Sequence, residues 1–331
     1  MESNPSFSPL SLREGSALAE KKRKILIISG PTAVGKTALS LKLSHLLGGE
    51  VVSADSMQVY RGMDIGTAKV SSADQRLIRH HLIDSRDINE PFNVVDFYHE
   101  AHQAFEEIFS RGHIPIVVGG TGFYIHSLIY GPPEGPASIP EVRLQLEEKL
   151  KKLGSEALYE ELRDFDPVYA ETITSCDVHK IIRGLEIIKL TNQKISSFKK
   201  GSEPSSKFDF LCWFLYKPKE ILYPIVNERC DQMLQEGLLK EVQELSKLGL
   251  SENSSASQAI GYRQALHYLA SQQTPQDQEW MIEEFKKATR RYVKRQFTWF
   301  RKEPLFRWLN LHHYKEETAL EMIMQDYEQH F

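Results

Sequence analysis

Residues 25–49 read ILIISGPTAVGKTALSLKLSHLLGG, and the fold turns on this stretch. Residues 25–29 (ILIIS) form a short unbroken apolar run, the pattern of a strand buried on both faces of a parallel sheet. Over 37–47, Leu39, Leu43, Leu46 and Leu47 recur on one helical face, and Gly48 and Gly49 stop that helix. Between strand and helix, Gly30, Pro31, Thr32, Ala33, Val34, Gly35, Lys36 and Thr37 satisfy G-x-x-x-x-G-K-[ST] in the strand-loop-helix context that motif requires. The glycines let backbone N–H groups face an anion, and the helix start adds partial positive charge. Lys36 supplies a cation for phosphate oxygens and the Thr37 hydroxyl a ligand for Mg²⁺. The stretch therefore predicts a bound diphosphate or triphosphate, without saying which compound or what becomes of it.

Outward from there, residues 50–53 (EVVS) are the next strand, followed by strand candidates at 82–83, 114–118, 210–216 and 306–309. Strands alternating with helices indicate a doubly wound parallel α/β sheet of the P-loop NTPase kind. Residues 131–140 (GPPEGPASIP) hold four prolines in ten and interrupt any element. From 141 to about 194 the pattern is helical throughout, and 199–207 (KKGSEPSSK) is a second polar linker. The expected organisation is a flexible tail over 1–21, a first part of the core over 22–138, a helical insertion over 139–207, and the rest of the core over 208–331 with a basic C-terminal helix.

The 331 residues are 41% hydrophobic and 26% charged, room for two domains or a core with a large insertion. A mean hydropathy of −0.40 and the lack of an 18-residue apolar run argue against a membrane-spanning helix. Sixteen Phe, 13 Tyr and 4 Trp argue against disorder. Cys176, Cys212 and Cys230 have neither disulfide-framework nor zinc spacing, which suits a reducing compartment, and residues 1–20 lack a secretory apolar core. The expected location is cytoplasmic, and the expected state a monomer.

The formal charge of −4 implies no global field for a nucleic acid, but the average hides its distribution. Residues 286–302 (KKATRRYVKRQFTWFRK) carry eight basic side chains and no acid, so the remainder of the chain stands at −12. The bases at 287, 290, 291, 294 and 295 recur at helical spacing, a stripe suited to a phosphate backbone, with Tyr292, Phe297, Trp299 and Phe300 placed to stack or to pack.

A P-loop nucleotidase ends an apolar strand in an acid that holds its metal. Here 114–118 (IPIVV) runs instead into Gly119, Gly120, Thr121 and Gly122, which allow close backbone approach with one hydroxyl. The carboxylate is elsewhere: Asp55 lies just past the second strand, on the same rim as the P-loop. It suits a general base that activates an acceptor, or an outer metal ligand, and a turn or helix-capping aspartate is the plain alternative. His80 and His81 read as turn or core histidines, and Glu106–Glu107 as a solvated helix face.

Together the motifs GPTAVGKT (30–37), DSMQVYRGMDIGTAK (55–69), HHLID (80–84), GGTGFYI (119–125), IGYRQA (260–265) and KRQFTWFR (294–301) resemble the tRNA dimethylallyltransferases, in that family's order. The resemblance implies a P-loop core with a helical insertion. It implies transfer of a dimethylallyl group from dimethylallyl diphosphate to N6 of the adenosine 3′ of the anticodon, in tRNAs reading codons that start with U. On that reading no nucleotide is hydrolysed, and Mg²⁺, Lys36 and Thr37 steady the departing diphosphate, with Arg229 assisting. Asp55 then resembles the base that takes the N6 proton, and Thr121 the threonine beside the reacting groups. Ser56, Met57 and Gln58 resemble contacts to the target nucleotide.

The same resemblance assigns tRNA contacts to Arg143, to His179, Lys180, Ile181, Ile182 and Arg183, and to Gln258, Ala259, Ile260, Gly261, Tyr262 and Arg263. It adds Val293, Lys294, Arg295, Gln296, Phe297, Thr298, Trp299 and Phe300. Lys180 and Gly184 stand where the family usually has Arg and Ala. The partners implied are the anticodon stem-loop of tRNA and dimethylallyl diphosphate. The alternatives are a small-molecule or nucleotide kinase, which needs ATP turnover and an Arg-rich lid, and an isopentenyltransferase acting on free adenine nucleotides, which needs no basic stripe.

Overall fold

The computed structural model describes residues 22–198, 203–205 and 207–330, so the tail expected over 1–21 lies outside the described residues. The first part of the chain forms β1 (Arg23–Ser29), α1 (Lys36–Leu47), β2 (Gly49–Ser53), α2 (Ser72–Leu77), β3 (His80–His81), α3 (Val94–Ser110), β4 (Ile114–Gly119) and α4 (Gly122–Tyr130). Three helices follow: α5 (Pro140–Phe165), α6 (Pro167–Ala170) and α7 (Val178–Thr191). The chain then returns through β5 (Phe208–Tyr216), α8 (Lys219–Gln235), α9 (Leu238–Lys247), α10 (Tyr262–Leu269), α11 (Pro275–Phe300), β6 (Phe306–Asn310) and α12 (Glu316–His330).

The strands make one all-parallel sheet in the order β3-β2-β4-β1-β5-β6. Ile25, Leu26, Ile27 and Ile28 of β1 are fully buried, as a central strand covered on both faces must be. The chain winds to one side of β1 and then crosses to β5 on the other. The crevice at this reversal opens at the C-terminal ends of β1 and β4.

Two sequence expectations change. The edge strand is His80–His81, not 82–83, because Leu82 (φ 61) and Asp84 (φ 52) adopt left-handed backbone that no strand can continue. Leu46 is 53% exposed, so the buried stripe of α1 is Leu39 and Leu43, with Leu47 packed at its margin.

One histidine of β3, His81, has a partner on β2. Glu50 accepts bonds from Arg111 Nε and Nη2 (both 2.8 Å), His81 Nε2 (2.7 Å) and His113 Nδ1 (2.7 Å). Burial alone would raise the Glu50 pKa, but these partners overcome it and hold the carboxyl at about 2. Glu106 is also more than a solvated residue: it pairs with Arg23 (2.5 Å) and Lys207 (2.7 Å), tying α3 to the starts of β1 and β5.

The helices α5 and α7 build an apolar cluster of their own around Leu146, Leu158, Leu162, Ile181 and Leu185, separate from the cluster around the sheet. A Cβ at Gly184 would come 3.0 Å from Ile195 Cδ1 and 3.1 Å from Leu162 Cδ1, so the small residue fits this packing. The chain leaves the core after α4 and returns before β5 at nearly the same place, where Ser205 N donates to Ile129 O (2.8 Å). At the base, buried Glu186 accepts from Ser138 Oγ (2.6 Å), Ile139 N (2.9 Å) and Arg183 Nη1 (2.7 Å).

Candidate active site

The loop after β1 adopts the geometry its sequence anticipates. Gly30 (φ 155) lies where a Cβ would overlap Leu215 O, and Gly35 (φ 109) begins α1 in left-handed backbone. No side chain caps α1 and its first turn holds no acid, so its leading N–H groups remain available to an anion. Thr37 is exposed beside them. Lys36 folds back over the loop, and its ammonium donates to Gly30 O (2.8 Å) and Pro31 O (2.9 Å). Burial of that ammonium, and then the neighbouring Arg229 charge, draw its pKa down to about 7 against the opposing pull of Asp55.

The loops after β2 and β4 are laced together. Ala54 N donates to Val118 O (2.8 Å), Thr121 N to Ala54 O (3.3 Å) and Ser56 N to Thr121 Oγ1 (3.2 Å). The three glycines beside Thr121 are required for close approach: a Cβ at Gly119 would overlap Ala54, at Gly120 the Gln296 amide, and at Gly122 the Trp299 ring. Asp55 Oδ1 accepts from Met57 N (2.9 Å), so the turn-forming alternative describes part of what this carboxylate does. Burial raises its pKa, opposed by that N–H and by Lys36.

Two cavities meet here. One, about 530 Å³, is lined by the P-loop, Lys36 and Thr37 together with Gly119 and Gly120. The other, about 260 Å³, has Ser56 and Met57 on one side and an apolar wall of Val226, Cys230, Met233, Ile260 and Phe285. Asp55, Arg229 and Tyr292 border both. Arg229 projects from α8, and burial lowers its pKa. Gln258 and Ala259 complete the smaller cavity beside Ile260, and Gln58 borders the larger one.

The helix α11 reaches this site with different members from those its charge pattern suggested. Gln296, 4% exposed, accepts from Thr32 N (3.2 Å) and donates to Gly120 O (3.0 Å), pinning the P-loop to the glycine loop. The Tyr292 hydroxyl also reaches Gly120 O (3.4 Å). Arg295 lies 5.4 Å over the Tyr292 ring and lines the smaller cavity.

Several side chains of the tRNA-contact reading are buried in this structure. Ile181 and Ile182 belong to the α5–α7 core, Val293, Phe297 and Phe300 to the main core, and the buried Tyr262 donates its hydroxyl to Glu241. The exposed members of these segments are His179, Lys180, Gln258, Arg263, Lys294, Arg295, Thr298 and Trp299. Gly261 (φ 91) begins α10 under the Phe285 ring. The basic stripe is likewise not uniform, since Lys286 pairs with Asp231, Lys287 with Glu284, and Arg290 bonds Asn227, whereas Arg291 and Lys294 are exposed. Arg143, paired with Glu147, and residues 179–183 line none of the cavities described and sit in the helical insertion.

Sequence reading missed the apolar wall and the bracing by Gln296 and by Glu241. Partners such as Thr32 and Gln296 are 264 residues apart, and no local pattern signals such a pair.

A phosphate cradle that shares a carboxylate with a second, largely apolar cavity, with no acid ending β4, defines a group-transfer enzyme on a P-loop core. The family model described as IPP transferase matches residues 58–303. The tRNA dimethylallyltransferase of Protochlamydia amoebophila is 55% identical over 314 residues, covering 95% of this chain and 91% of that protein. The one from Chlamydia pneumoniae is 48% identical, covering 92% and 90%. Among solved structures, the tRNA isopentenylpyrophosphate transferase of Bacillus halodurans matches at 37% identity and a TM-score of 0.67, covering 93% of this chain and 98% of that one. A eukaryotic dimethylallyltransferase acting on tRNA matches at 28% identity and a TM-score of 0.76, covering 93% and 80%. The chain belongs to the tRNA dimethylallyltransferase family.

Proposed function

We propose that this transferase moves a dimethylallyl group from dimethylallyl diphosphate to N6 of the adenosine 3′ of the anticodon in tRNAs reading codons that start with U. The observation that carries the reading is the position of Asp55 on the wall common to the phosphate cavity and the apolar one. The diphosphate is held by the P-loop N–H groups and Lys36, the allylic chain lies toward the apolar wall, and the flipped adenine enters beside Asp55, Ser56 and Met57. As the allylic carbon–oxygen bond breaks, the N6–carbon bond forms and the N6 proton passes to Asp55. Diphosphate leaves with the electron pair of the broken bond. A carboxylate whose pKa burial has raised is a better proton acceptor than a solvated one. Thr121 fixes the Asp55 loop through Ser56 N, and Arg229 faces the developing negative charge.

No cluster of three or more metal-ligating side chains exists among the described residues. The exposed Thr37 hydroxyl in the phosphate cavity fits Mg²⁺ held otherwise by substrate phosphates and water, the mode this ion favours, and the ion would supply charge neutralisation on the leaving group. No helix among the described residues is long and apolar enough to cross a membrane. The free Cys176, Cys212 and Cys230 are in keeping with a cytoplasmic setting.

The test is transfer of labelled dimethylallyl diphosphate onto unmodified tRNA with Mg²⁺. Asp55→Asn is expected to retain tRNA binding and to lose transfer by about 10²–10⁴-fold. Rapid ATP hydrolysis without transfer by the wild type overturns the assignment.

A further inference from the structure

We infer that Glu241, on α9 and outside the lining of either cavity, is a positioning residue for the acceptor side of the site, acting through Gln58. The inference rests on the proposed function and names a part of the machinery that the sequence reading did not.

One carboxylate collects four donors. Glu241 Oε2 accepts from Ile65 N (2.7 Å) and Asp64 N (3.1 Å), and Oε1 from Gly66 N (3.2 Å) and the Tyr262 hydroxyl (2.5 Å). Three successive backbone N–H groups converging on an anion form a nest, and bonds to a charged acceptor are the strong kind. The 64–66 turn is thereby fixed by a side chain 175 or more positions away.

What the turn holds is the next residue. Thr67 lines both cavities, and its carbonyl accepts from Gln58 Nε2 (3.2 Å), while Ser53 Oγ donates to Gln58 Oε1 (3.1 Å). Both ends of the Gln58 amide are therefore set, one of them through the turn that Glu241 braces. Tyr262 carries the second connection. Its ring packs on Gly66, where a Cβ would overlap it, and its backbone continues the 258–260 segment that forms another part of the smaller cavity. A single carboxylate thus ties the Gly66–Thr67 side of the acceptor cavity to the Gln258–Ile260 side.

The test uses the full-length enzyme and steady-state transfer with each substrate varied in turn. Glu241→Gln keeps the size but turns an N–H donor toward backbone N–H groups. It is expected to raise the KM for tRNA or lower kcat by a combined ~10²-fold, since displacement of about 1 Å has that effect. Affinity for inorganic diphosphate, which meets the P-loop N–H groups and Lys36 and not the braced turn, is expected to stay within about twofold. Because part of the effect runs through Gln58, Glu241→Gln is expected to cost less in a Gln58→Ala background than in the wild type. Multiplying effects in the double variant, or an equal loss on the diphosphate side, overturns the inference. Should Glu241→Gln fail to fold, Tyr262→Phe removes one donor and keeps the ring. It is expected to move the same parameters less, and an unchanged tRNA dependence overturns the inference. A wild type that transfers nothing to tRNA overturns the functional reading beneath it. A normally active wild type matched by Glu241→Gln overturns the role of Glu241 alone.

Discussion

Diphosphate binding should be coupled to the charge on Lys36. In the free protein this lysine titrates at about 7 instead of its ordinary 10.5, because its ammonium is enclosed by the P-loop and repelled by Arg229. A diphosphate brought against it restores the charged form. At pH 8 a group titrating at about 7 is roughly nine-tenths neutral, so binding should take up about 0.9 proton there, about 0.5 at pH 7 and about 0.1 at pH 6. Above pH 7 the lysine contribution to affinity should fall by up to about tenfold per pH unit. The assay is calorimetric titration of inorganic diphosphate in two buffers of different protonation enthalpy. It is run on the wild type and on Lys36→Arg, whose guanidinium does not titrate and whose difference from wild type removes the ligand's own ionisation. Equal proton uptake by the two proteins at pH 8 refutes the argument. The sign for stability runs the other way. Between pH 7 and 10.5 the unfolded chain binds more protons than the folded one at this residue, so the ligand-free protein gains stability as pH rises through that window.

Gln296→Ala should cost about 2–4 kcal/mol in urea unfolding, since it orphans Thr32 N and weakens the satisfaction of Gly120 O inside the core; a loss under ~0.5 kcal/mol counts against the brace. Arg291→Ala and Lys294→Ala, at two exposed basic residues of α11, should each weaken tRNA binding and reduce the slope of log K against log salt by about one, measured across a salt series. The already paired Lys287 should change that slope less. Glu50→Gln should destabilise by about 1–3 kcal/mol, because a buried neutral amide replaces the charged acceptor of Arg111, His81 and His113. With a folded pKa of about 2 against 4.5 for the free side chain, the Glu50 contribution is full above pH 4.5 and is lost as pH falls toward 2, which acid unfolding of the two proteins compares.

The P-loop strand and helix were legible because each is a local pattern: an apolar run, a glycine-bearing loop and leucines on one face. The edge strand was not. Residues 82–83 are the more apolar pair, yet the backbone turns left-handed at Leu82, and His80–His81 pair instead with β2, whose Glu50 accepts from His81. The chemistry of the site was half legible. Asp55 could be placed on the right rim from the order of elements alone, but its place between two cavities depends on α8 and α11 arriving from more than 170 residues away. The stripe over 286–302 shows the limit most clearly: charge can be counted in sequence, whereas its pairing with Asp231, Glu284 and Asn227 comes from the folded neighbours and from side-chain reach.

The hydrogen bond from Ser205 to Ile129 closes the point where the chain leaves the sheet and comes back. The helices beyond that point have their own apolar centre, and β5 is registered on β1 along seven consecutive pairs without their help. To the sheet, the helices α5, α6 and α7 are thus topologically equivalent to a tight turn. This makes the region a cassette: its length, charge and curvature can drift, or be exchanged by an engineer, while the phosphate cradle keeps its geometry. Within one architecture, the helical insertion can then change independently of the cradle at the end of the sheet.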